Sequence, residues 1–407
     1  MLSPIATVVY KHFEEITDPR LNRGLNHDLG EMMFVALTAA LAGADSWADV
    51  ERFGTSHQDW FAKHLPLENG IPSHDTFSRV FARLDSGEFL TAMHRWIDEF
   101  SDSLRGQGVA IDGKTLRGSH DARHGQSPLH TITAFACGTR TVLRQMSVPD
   151  KSNEIPAVPL LLQMLDLVDA TVTLDAMHCQ VETAQAVLDR GGDYIVTVKG
   201  NQPSLHEYLM DRFEGCAERD FEEEGLRRLV TLDKGHGRKE RRSYYVLGAS
   251  KKEADALCRW PGLRSIGMVI RQRWIKGAEQ TETTLFVSSR EPKVRETARL
   301  LRGHWGIENS LHYVLDVTFA EDASRIRKGS GPEVTAGIRR LALNILQRDT
   351  TVRDNLRGKR LRAGWDESVL DLSYTESTSG LKRIPSPSTC LSGVRRKQFG
   401  ERDQISS

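Results

Sequence analysis

VAIDGKTLRG, at residues 109–118, is the stretch of this 407-residue chain on which the predicted fold class depends. Its apolar, β-branched start predicts a buried strand that ends at the acidic residue Asp112. A second run, ATVTLDAMH at residues 170–178, has the same form and ends its strand at Asp175. These two strand-end aspartates are the first candidates for a functional site.

A third acidic candidate lies much further along the chain. The run HWGIENSLH at residues 304–312 reads as a helix and carries Glu308. Hard divalent cations prefer oxygen ligands, and a pair of them can hold the attacking and leaving oxygens of a phosphoryl displacement. Asp112, Asp175 and Glu308 therefore form a candidate site for two Mg²⁺ (or Mn²⁺) ions.

One competing motif overlaps the first strand. Residues 108–115 match the phosphate-binding pattern G-x-x-x-x-G-K-[ST]. A phosphate-binding loop requires a strand before it and a helix after it, whereas here the apolar strand lies inside the pattern and a broken, polar sequence follows. Asp112 would also repel a phosphate, so the context argues against a nucleotide-binding loop.

The order of elements predicts an α/β core. Strands are expected at 109–112, 129–136 and 142–148, then a helix at 156–167, a strand at 171–174, a helix at 181–189 and a strand at 193–198. This order is that of an RNase H-like core, although the alternation also fits other α/β folds. A β-rich insertion is expected at about 226–289, followed by helices at 292–320 and 333–348.

Three segments are expected along the chain. Residues 1–105 read as a helical N-terminal domain, and residues 106–350 as the catalytic domain. The stretch 71–81 could be part of a DNA-binding helical unit or simply a packing helix. Residues 351–407 form a C-terminal extension that is expected to be disordered after about residue 373, where few apolar residues remain.

Composition limits the functional classes. The formal net charge is zero, but residues 1–105 are acidic, so the rest of the chain is basic enough to attract phosphates. Apolar runs are too short to span a membrane. Five scattered cysteines favour a reducing cytoplasm and argue against a zinc site.

The chain resembles a known family in several long, ordered motifs. It is similar to bacterial insertion-sequence DDE transposases of the H-repeat-associated (ISAs-type) kind over about residues 5–368. The resemblance is carried by AIDGKTLRGS at 110–119, KSNEI at 151–155, DAMH at 175–178, VKGNQ at 198–202, HWGIENSLHYVLDV at 304–317 and IPSHDTF at 71–77.

The resemblance implies an RNase H-like fold, divalent metal ions and cut-and-join chemistry on transposon-end DNA. Carried onto this chain, the catalytic and metal-binding triad is Asp112, Asp175 and Glu308. The partners implied are transposon ends and target DNA, with a homodimer in the DNA complex. Candidate DNA-binding residues are Lys114, Arg117, Lys199, Asn201, His236, Arg238, Arg241, Arg302 and His304.

The chain departs from the family pattern around Glu308. Many insertion-sequence transposases carry Tyr and Arg before the glutamate and Lys after it, where this chain has Leu301, His304 and Leu315. Arg302, His304 and His312 are candidates to substitute for them. Trp305 is a candidate to stack on a displaced base.

Two alternatives to a DNA strand transferase stay open. The same core could belong to a structure-specific nuclease that performs no strand transfer. It could also belong to an element-derived protein that binds DNA but no longer cuts it.

Overall fold

The computed structural model describes residues 2–20, 25–122, 125–149, 154–235, 238–275 and 278–378. The predicted DNA contact His236 lies outside these ranges. So do residues 151–153 of the KSNEI motif and the chain beyond residue 378.

Six helices form the N-terminal part: α1 (Pro4–Phe13), α2 (Leu29–Leu41), α3 (Trp47–Ser56), α4 (Gln58–His64), α5 (His74–Phe81) and α6 (Ser86–Phe100). Their starts follow from local sequence, since Ser46 and Asp49 form a reciprocal capping box at α3 and Ser73 caps α5. Helix α2 is apolar on all sides and is almost entirely buried.

One mixed sheet runs through the rest of the described chain. Its strands are β1 (Gly108–Thr115), β2 (His130–Ala136), β3 (Thr141–Val148), β4 (Thr171–Leu174), β5 (Asp193–Val198), β6 (Arg227–Gly235), β7 (Arg238–Gly248), β8 (Ser265–Ile275) and β9 (Ala278–Ser288). The spatial order is β3-β2-β1-β4-β5-β9-β8-β7-β6. The first five strands have the order of an RNase H-like core, which confirms the predicted fold class.

The structure around Asp112 also shows whether the competing phosphate-loop motif forms a loop. Residues 108–115, which match the phosphate-loop pattern, are β1 itself, paired with β2 on one side and β4 on the other. A continuous strand cannot wrap its backbone around a phosphate, so the prediction against a nucleotide-binding loop is confirmed.

The β-rich insertion extends the sheet. Strand β9 pairs antiparallel with β5, and β8, β7 and β6 follow as a meander. Because β9 joins the edge of the core sheet, one continuous surface links the two aspartate strands to the insertion.

The remaining helices of the described chain follow β3 or lie between and after the later strands. They are α7 (Glu154–Gln163), α8 (Val181–Asp189), α9 (Pro203–Ala217), α10 (Lys251–Ala256), α11 (Val294–His304), α12 (Tyr313–Val317), α13 (Gly331–Arg348), α14 (Leu356–Trp365) and α15 (Glu367–Thr378). Between α11 and α12, residues Glu308–His312 form one turn of π-helix. The pattern did not predict α9 or α10.

The N-terminal helices share a hydrophobic core with the C-terminal ones. Apolar side chains of α1–α6 form one buried cluster with those of α12, α13 and α15 and with Ala110, Phe135 and Val142 of the sheet. Helix α13 contacts α2 and α6 directly. The helical segment 1–105 is therefore packed onto the catalytic region in this structure, while the domain boundaries remain a prediction.

The start of the predicted disordered tail needs correction. Residues 373–378 belong to helix α15, whose Tyr374 is fully buried and whose Ser373 donates a hydrogen bond to Asp349. The apolar residues that anchor this helix, Val369 and Leu370, precede the polar stretch that suggested disorder, so the sequence boundary falls too early.

Candidate active site

The neighbouring strands β1 and β4 bring two aspartates together, although β1 continues to Thr115 and does not end at Asp112 as predicted. The two strands are parallel neighbours, with Ile111 opposite Leu174. Asp112 and Asp175 follow these two residues and so occupy adjacent positions. Neighbouring positions of a ladder point to the same face of the sheet. Helix α11 covers that face, because its His304 is hydrogen-bonded to Thr173 on β4.

Asp112 is held at both carboxylate oxygens. Its Oδ1 accepts the backbone N–H of Gly113 at 2.9 Å, and its Oδ2 lies 3.1 Å from Nε2 of His312. Because a carboxylate only accepts, the imidazole donates. An ionised carboxylate offers about four acceptor positions, and this side chain is 26% exposed, so accessible acceptor capacity remains.

Asp175 is surrounded by donors and positive charge. Thr197 donates to its Oδ1 at 3.2 Å, and Nζ of Lys199 lies 3.7 Å from the same oxygen. Burial alone would raise the pKa of this carboxyl. The backbone N–H of Ala176, the charge of Lys199 and the nearby His304 outweigh that effect, and the pKa lies below its ordinary value. Asp175 is therefore ionised at neutral pH.

His304 lies beneath the two aspartates. The side chain is buried, and its Nδ1 is 3.2 Å from Oγ1 of Thr173. Burial lowers the pKa of this imidazole, although Asp112 and Asp175 act in the opposite direction. A buried, neutral histidine that faces two carboxylates is suited to orienting the site, and its burial argues against the predicted direct contact with DNA.

Glu308 sits on the π-helical turn between two histidines. His304 lies about one helical turn before it and His312 about one turn after it. Since His304 contacts the β4 strand and His312 contacts Asp112, this turn runs along the edge that carries both aspartates. π-Helical turns are frequent at functional sites. Glu308 itself is exposed to solvent.

The three acidic residues do not form a closed ligand set. Within the ranges given above, no group of three or more His, Cys, Asp or Glu side chains is arranged to hold a metal ion. The aspartates are instead bound to His312 and Lys199, and Glu308 points to solvent.

Lys114 lies in a position that does not fit its predicted contact with DNA. Its ammonium group is only 9% exposed and lies 2.5 Å from Asp316, 3.2 Å from Glu321 and 3.3 Å from Asp322. Burial lowers the pKa of this lysine, but the three carboxylates outweigh that effect and raise it. An ammonium group enclosed by three carboxylates has no free side for a DNA phosphate.

Three other predicted contacts lie around the two strand ends. Arg117 is 85% exposed, and its nearest carboxylate, Asp322, is 3.9 Å away. Lys199 is exposed beside Asp175. Asn201 donates from its side-chain amide to the carbonyl of Ala176 at 2.6 Å, which fastens the segment after Asp175.

A groove of about 300 Å³ separates the insertion from α11. Arg302 and Arg242 both bond to Asp233, at 2.6 and 2.9 Å. The indole of Trp305 is exposed at the groove. The groove is lined by Thr197, Arg242, Tyr244, Val269, Arg271, Glu282, Thr284, Leu301, Arg302, Trp305, Gly306 and Asn309.

Arg241, another predicted DNA contact in the insertion, does not line this groove. Arg241 points to the opposite face of the sheet from Arg242, since successive strand residues alternate, and it is half-buried. Arg238 is the first residue of β7, and its side chain is not among those that the structure describes.

Pattern reasoning missed one buried cluster behind the aspartates. Glu154, at the start of α7, lies 2.5 Å from Nε2 of His130 and 3.3 Å from Nε2 of His178. All three side chains are buried. The signal that could have found it was the KSNEI motif, which the resemblance singled out without giving Glu154 a role.

Comparisons with known proteins identify the family. The domain described as "Transposase DDE domain" matches residues 103–345, and the domain described as "DDE_Tnp_1-associated" matches residues 10–97. The chain belongs to the DDE transposase family. The acidic strand ends and the helix after the insertion all fall inside the matched DDE domain.

Its curated relatives carry matching names. The chain is 36% identical over 359 residues to "Putative transposase YncI" of Escherichia coli O157:H7, which covers 88% of this chain and 91% of the relative. It is 34% identical over 364 residues to "H repeat-associated putative transposase YhhI" of Escherichia coli strain K12, covering 88% and 96%. These matches confirm the resemblance found in the motifs.

One solved structure is similar at a low level. It is the cryo-EM structure of the piggyBac transposase synaptic complex with hairpin DNA, at a TM-score of 0.43 and 10% identity, covering 94% of this chain and 83% of that one. A likeness at that level supports no argument about this chain. Among the described residues, no helix is long and apolar enough to cross a membrane.

Proposed function

We propose that this transposase cleaves the ends of a mobile DNA element and joins the freed 3′-hydroxyl to target DNA. The observation that carries the proposal is the adjacent placement of Asp112 and Asp175 on the parallel strands β1 and β4, with the Glu308 turn along the same edge. The two aspartates supply acceptor oxygens side by side, and we propose that the exposed Glu308 side chain rotates to add a third carboxylate when metal binds.

The residues fit a divalent metal site by the chemistry of their donors. Asp112 and Asp175 are both partly exposed and keep free acceptor positions, and their present partners, His312 and Lys199, are a donor and a cation that a metal ion would replace. Glu308 is exposed and can turn toward the aspartates. We assign these three residues as the ligands of two Mg²⁺ or Mn²⁺ ions. When bound, such ions supply charge neutralisation and activation of an attacking oxygen.

The chain's own residues would orient the reacting DNA. His304 and His312 hold the Glu308 turn against β4 and β1 through Thr173 and Asp112. Lys199 and Arg117 present exposed positive charge on either side of the strand ends, where phosphates of the bound strand would lie. No covalent link between protein and DNA is required, because water and then a DNA 3′-hydroxyl serve as nucleophiles.

The groove beside Asp175 is proposed as the path of the cleaved strand. Thr197 both lines the groove and donates to Asp175, so a nucleotide held there would adjoin the scissile phosphate. The exposed indole of Trp305 offers a stacking surface for an unpaired base. Arg242 and Arg302 are already paired with Asp233, so they would reach phosphates only by exchanging this partner. The contacts predicted for Arg238, Arg241 and His236 stay predictions.

A homodimer in the DNA complex remains part of the proposal. A mobile element has two ends, and one active site can process one end at a time. The N-terminal helices share a core with the catalytic region, which argues against a separate DNA-reading module and leaves the pairing of two chains as their proposed role. In the stretch 71–81, which could be part of a DNA-binding unit, His74 is already paired with Glu51 at 2.5 Å.

The test uses the full chain and labelled DNA that carries the inverted repeats flanking its gene. With Mg²⁺ and a supercoiled target plasmid, we expect nicking at the repeat ends and a joined product. Cleavage without joined product would favour the structure-specific nuclease. Binding without cleavage would favour an inactive DNA-binding protein, a fate that the name of one short relative, "Inactive transposase YbfQ", reports for that protein.

A further inference from the structure

Glu154 is a buried carboxylate that takes part in neither the proposed metal binding nor the proposed DNA contacts. It is 1% exposed. Burial should raise its pKa, but the hydrogen bond from His130 and the close imidazole of His178 outweigh burial and lower the pKa to about 2. Keeping an ionised carboxylate out of water costs several kcal/mol unless its partners compensate. An acid in the first turn of α7 would be favourable at the surface, but that does not account for two buried histidines around it.

The carboxylate touches the segment that carries Asp112. A Cβ atom added to Gly113 would lie 2.6 Å from the Glu154 carboxyl group, so the residue after Asp112 is a glycine because this carboxylate occupies the space. Successive strand residues point to opposite faces. Glu154 therefore supports β1 from the face opposite the Asp112 carboxylate.

The two histidines extend this support to neighbouring strands. His130 begins β2, and its Nδ1 lies 2.7 Å from the hydroxyl of Thr115, the last residue of β1. Nε2 of His130 donates to the Glu154 carboxylate, and its Nδ1 is within hydrogen-bond distance of the Thr115 hydroxyl. His178 lies in the turn directly after Asp175. One carboxylate thus connects the ends of β1, β2 and β4.

We propose that Glu154 is a positioning residue that sets the spacing of Asp112 and Asp175 through Gly113, His130 and His178. This inference rests on the proposed function, because it concerns the same pair of aspartates. Metal ligands depend on such supporting contacts, and their loss costs about 10- to 100-fold in metal affinity or activity. Glu154 touches neither metal nor DNA in this role.

The experiment measures Mn²⁺ binding to the full chain without DNA by electron paramagnetic resonance, with the melting temperature recorded in parallel. The variant is Glu154→Gln, and the matched control is Glu253→Gln. Glu253 is also a buried carboxylate, 4% exposed, but it lies in the insertion and bonds to Arg212 of α9 at 2.9 Å. We expect Mn²⁺ affinity to fall about 10-fold or more in Glu154→Gln and to stay at the wild-type value in Glu253→Gln, even if both melt earlier.

A second pair of variants keeps the inference testable if Glu154→Gln does not fold. His178→Gln retains an N–H donor near the position of Nε2, whereas His178→Leu removes it. We expect near wild-type Mn²⁺ affinity in the first and at least about a 10-fold loss in the second. Equal affinities in wild type, Glu154→Gln and His178→Leu would overturn the inference.

Failure of the inference and failure of the proposed function give different results. A wild-type chain that binds Mn²⁺ and cleaves DNA, with variants that bind equally well, overturns only the role of Glu154. A folded wild-type chain that neither binds Mn²⁺ nor cleaves overturns both.

Discussion

Two groups of carboxylates flank strand β1, and they are held in opposite ways. Asp316, Glu321 and Asp322 surround the buried ammonium group of Lys114, and Glu321 also bonds to the fully buried Arg340 at 2.7 Å. The strand-end group consists of Asp112 on β1, Asp175 directly after β4 and Glu308 on the π-helical turn. These side chains are partly or wholly exposed, and Lys199 is the cation beside Asp175.

The comparison distinguishes charges that stabilise the fold from charges that we propose bind a metal ion. The Lys114 cluster carries its own counter-charges, so it is complete without a ligand and fixes β1 to the segment after α12. The strand-end group has three carboxylates and too little built-in positive charge, so a bound cation would be favourable there.

The largest effect is expected from removing a carboxylate of the strand-end group. Asp112→Asn, Asp175→Asn and Glu308→Gln should each lower DNA cleavage by about 10³-fold or more, since a metal ion stabilises the transition state by several kcal/mol. The melting temperature without metal should stay equal or rise, because like charges are removed. Initial rates and thermal unfolding check both. Wild-type cleavage by Asp112→Asn would show that the comparison assigns the wrong group to catalysis.

Removing the central carboxylate of the Lys114 cluster should affect stability. Glu321→Gln leaves Arg340 and Lys114 with an uncompensated buried charge, which typically costs about 3–5 kcal/mol of unfolding free energy. Denaturant unfolding measures the loss. The double variant Glu321→Gln with Lys114→Met should recover part of it, because the two residues interact directly. A loss of less than about 1 kcal/mol would mean that this cluster is not the structural one.

The free energy of unfolding should depend on pH through the Glu154 carboxyl group. The pKa of this carboxyl is about 2 in the folded chain and about 4.5 ordinarily. A group with a lowered folded pKa contributes stability that is complete above the unfolded pKa and is lost as the pH falls through the folded one. Unfolding free energy should therefore fall between about pH 4.5 and 2, with a shallower slope in Glu154→Gln. Denaturant unfolding at a series of pH values checks this, and identical slopes would contradict it.

The smallest effect is expected at Arg117, the exposed cation beside β1. Arg117→Ala should weaken binding to all DNA sequences alike and reduce the slope of log affinity against log salt by about one. Lys114→Met is the control, since its ammonium group is enclosed by carboxylates and should leave the slope unchanged. Salt titrations by fluorescence anisotropy measure both. A change in slope for Lys114→Met alone would reverse the roles assigned to these two residues.

Most strands of this transposase could be predicted from the sequence alone. The run ending at Leu174 and the run Asp193–Val198 were predicted with the bounds that the structure has, because β-branched residues in short apolar runs specify buried strands locally. The same reasoning put Asp175 directly after a strand, as the structure has it, but ended the first strand at Asp112, three residues before the end of β1. Parallel pairing of β1 with β4 follows from the order of elements.

Which charged side chains face solvent depends on the tertiary structure and could not be predicted from the sequence. Lys114 and Arg117 are close in sequence and equally basic, yet one is enclosed by carboxylates from residues 316–322 and the other is exposed. His304 is buried under the aspartates, and Glu154 meets its histidines from β2 and from the turn after β4. Such partnerships join residues far apart in the chain, and local periodicity carries no information about them because packing between elements sets the distances.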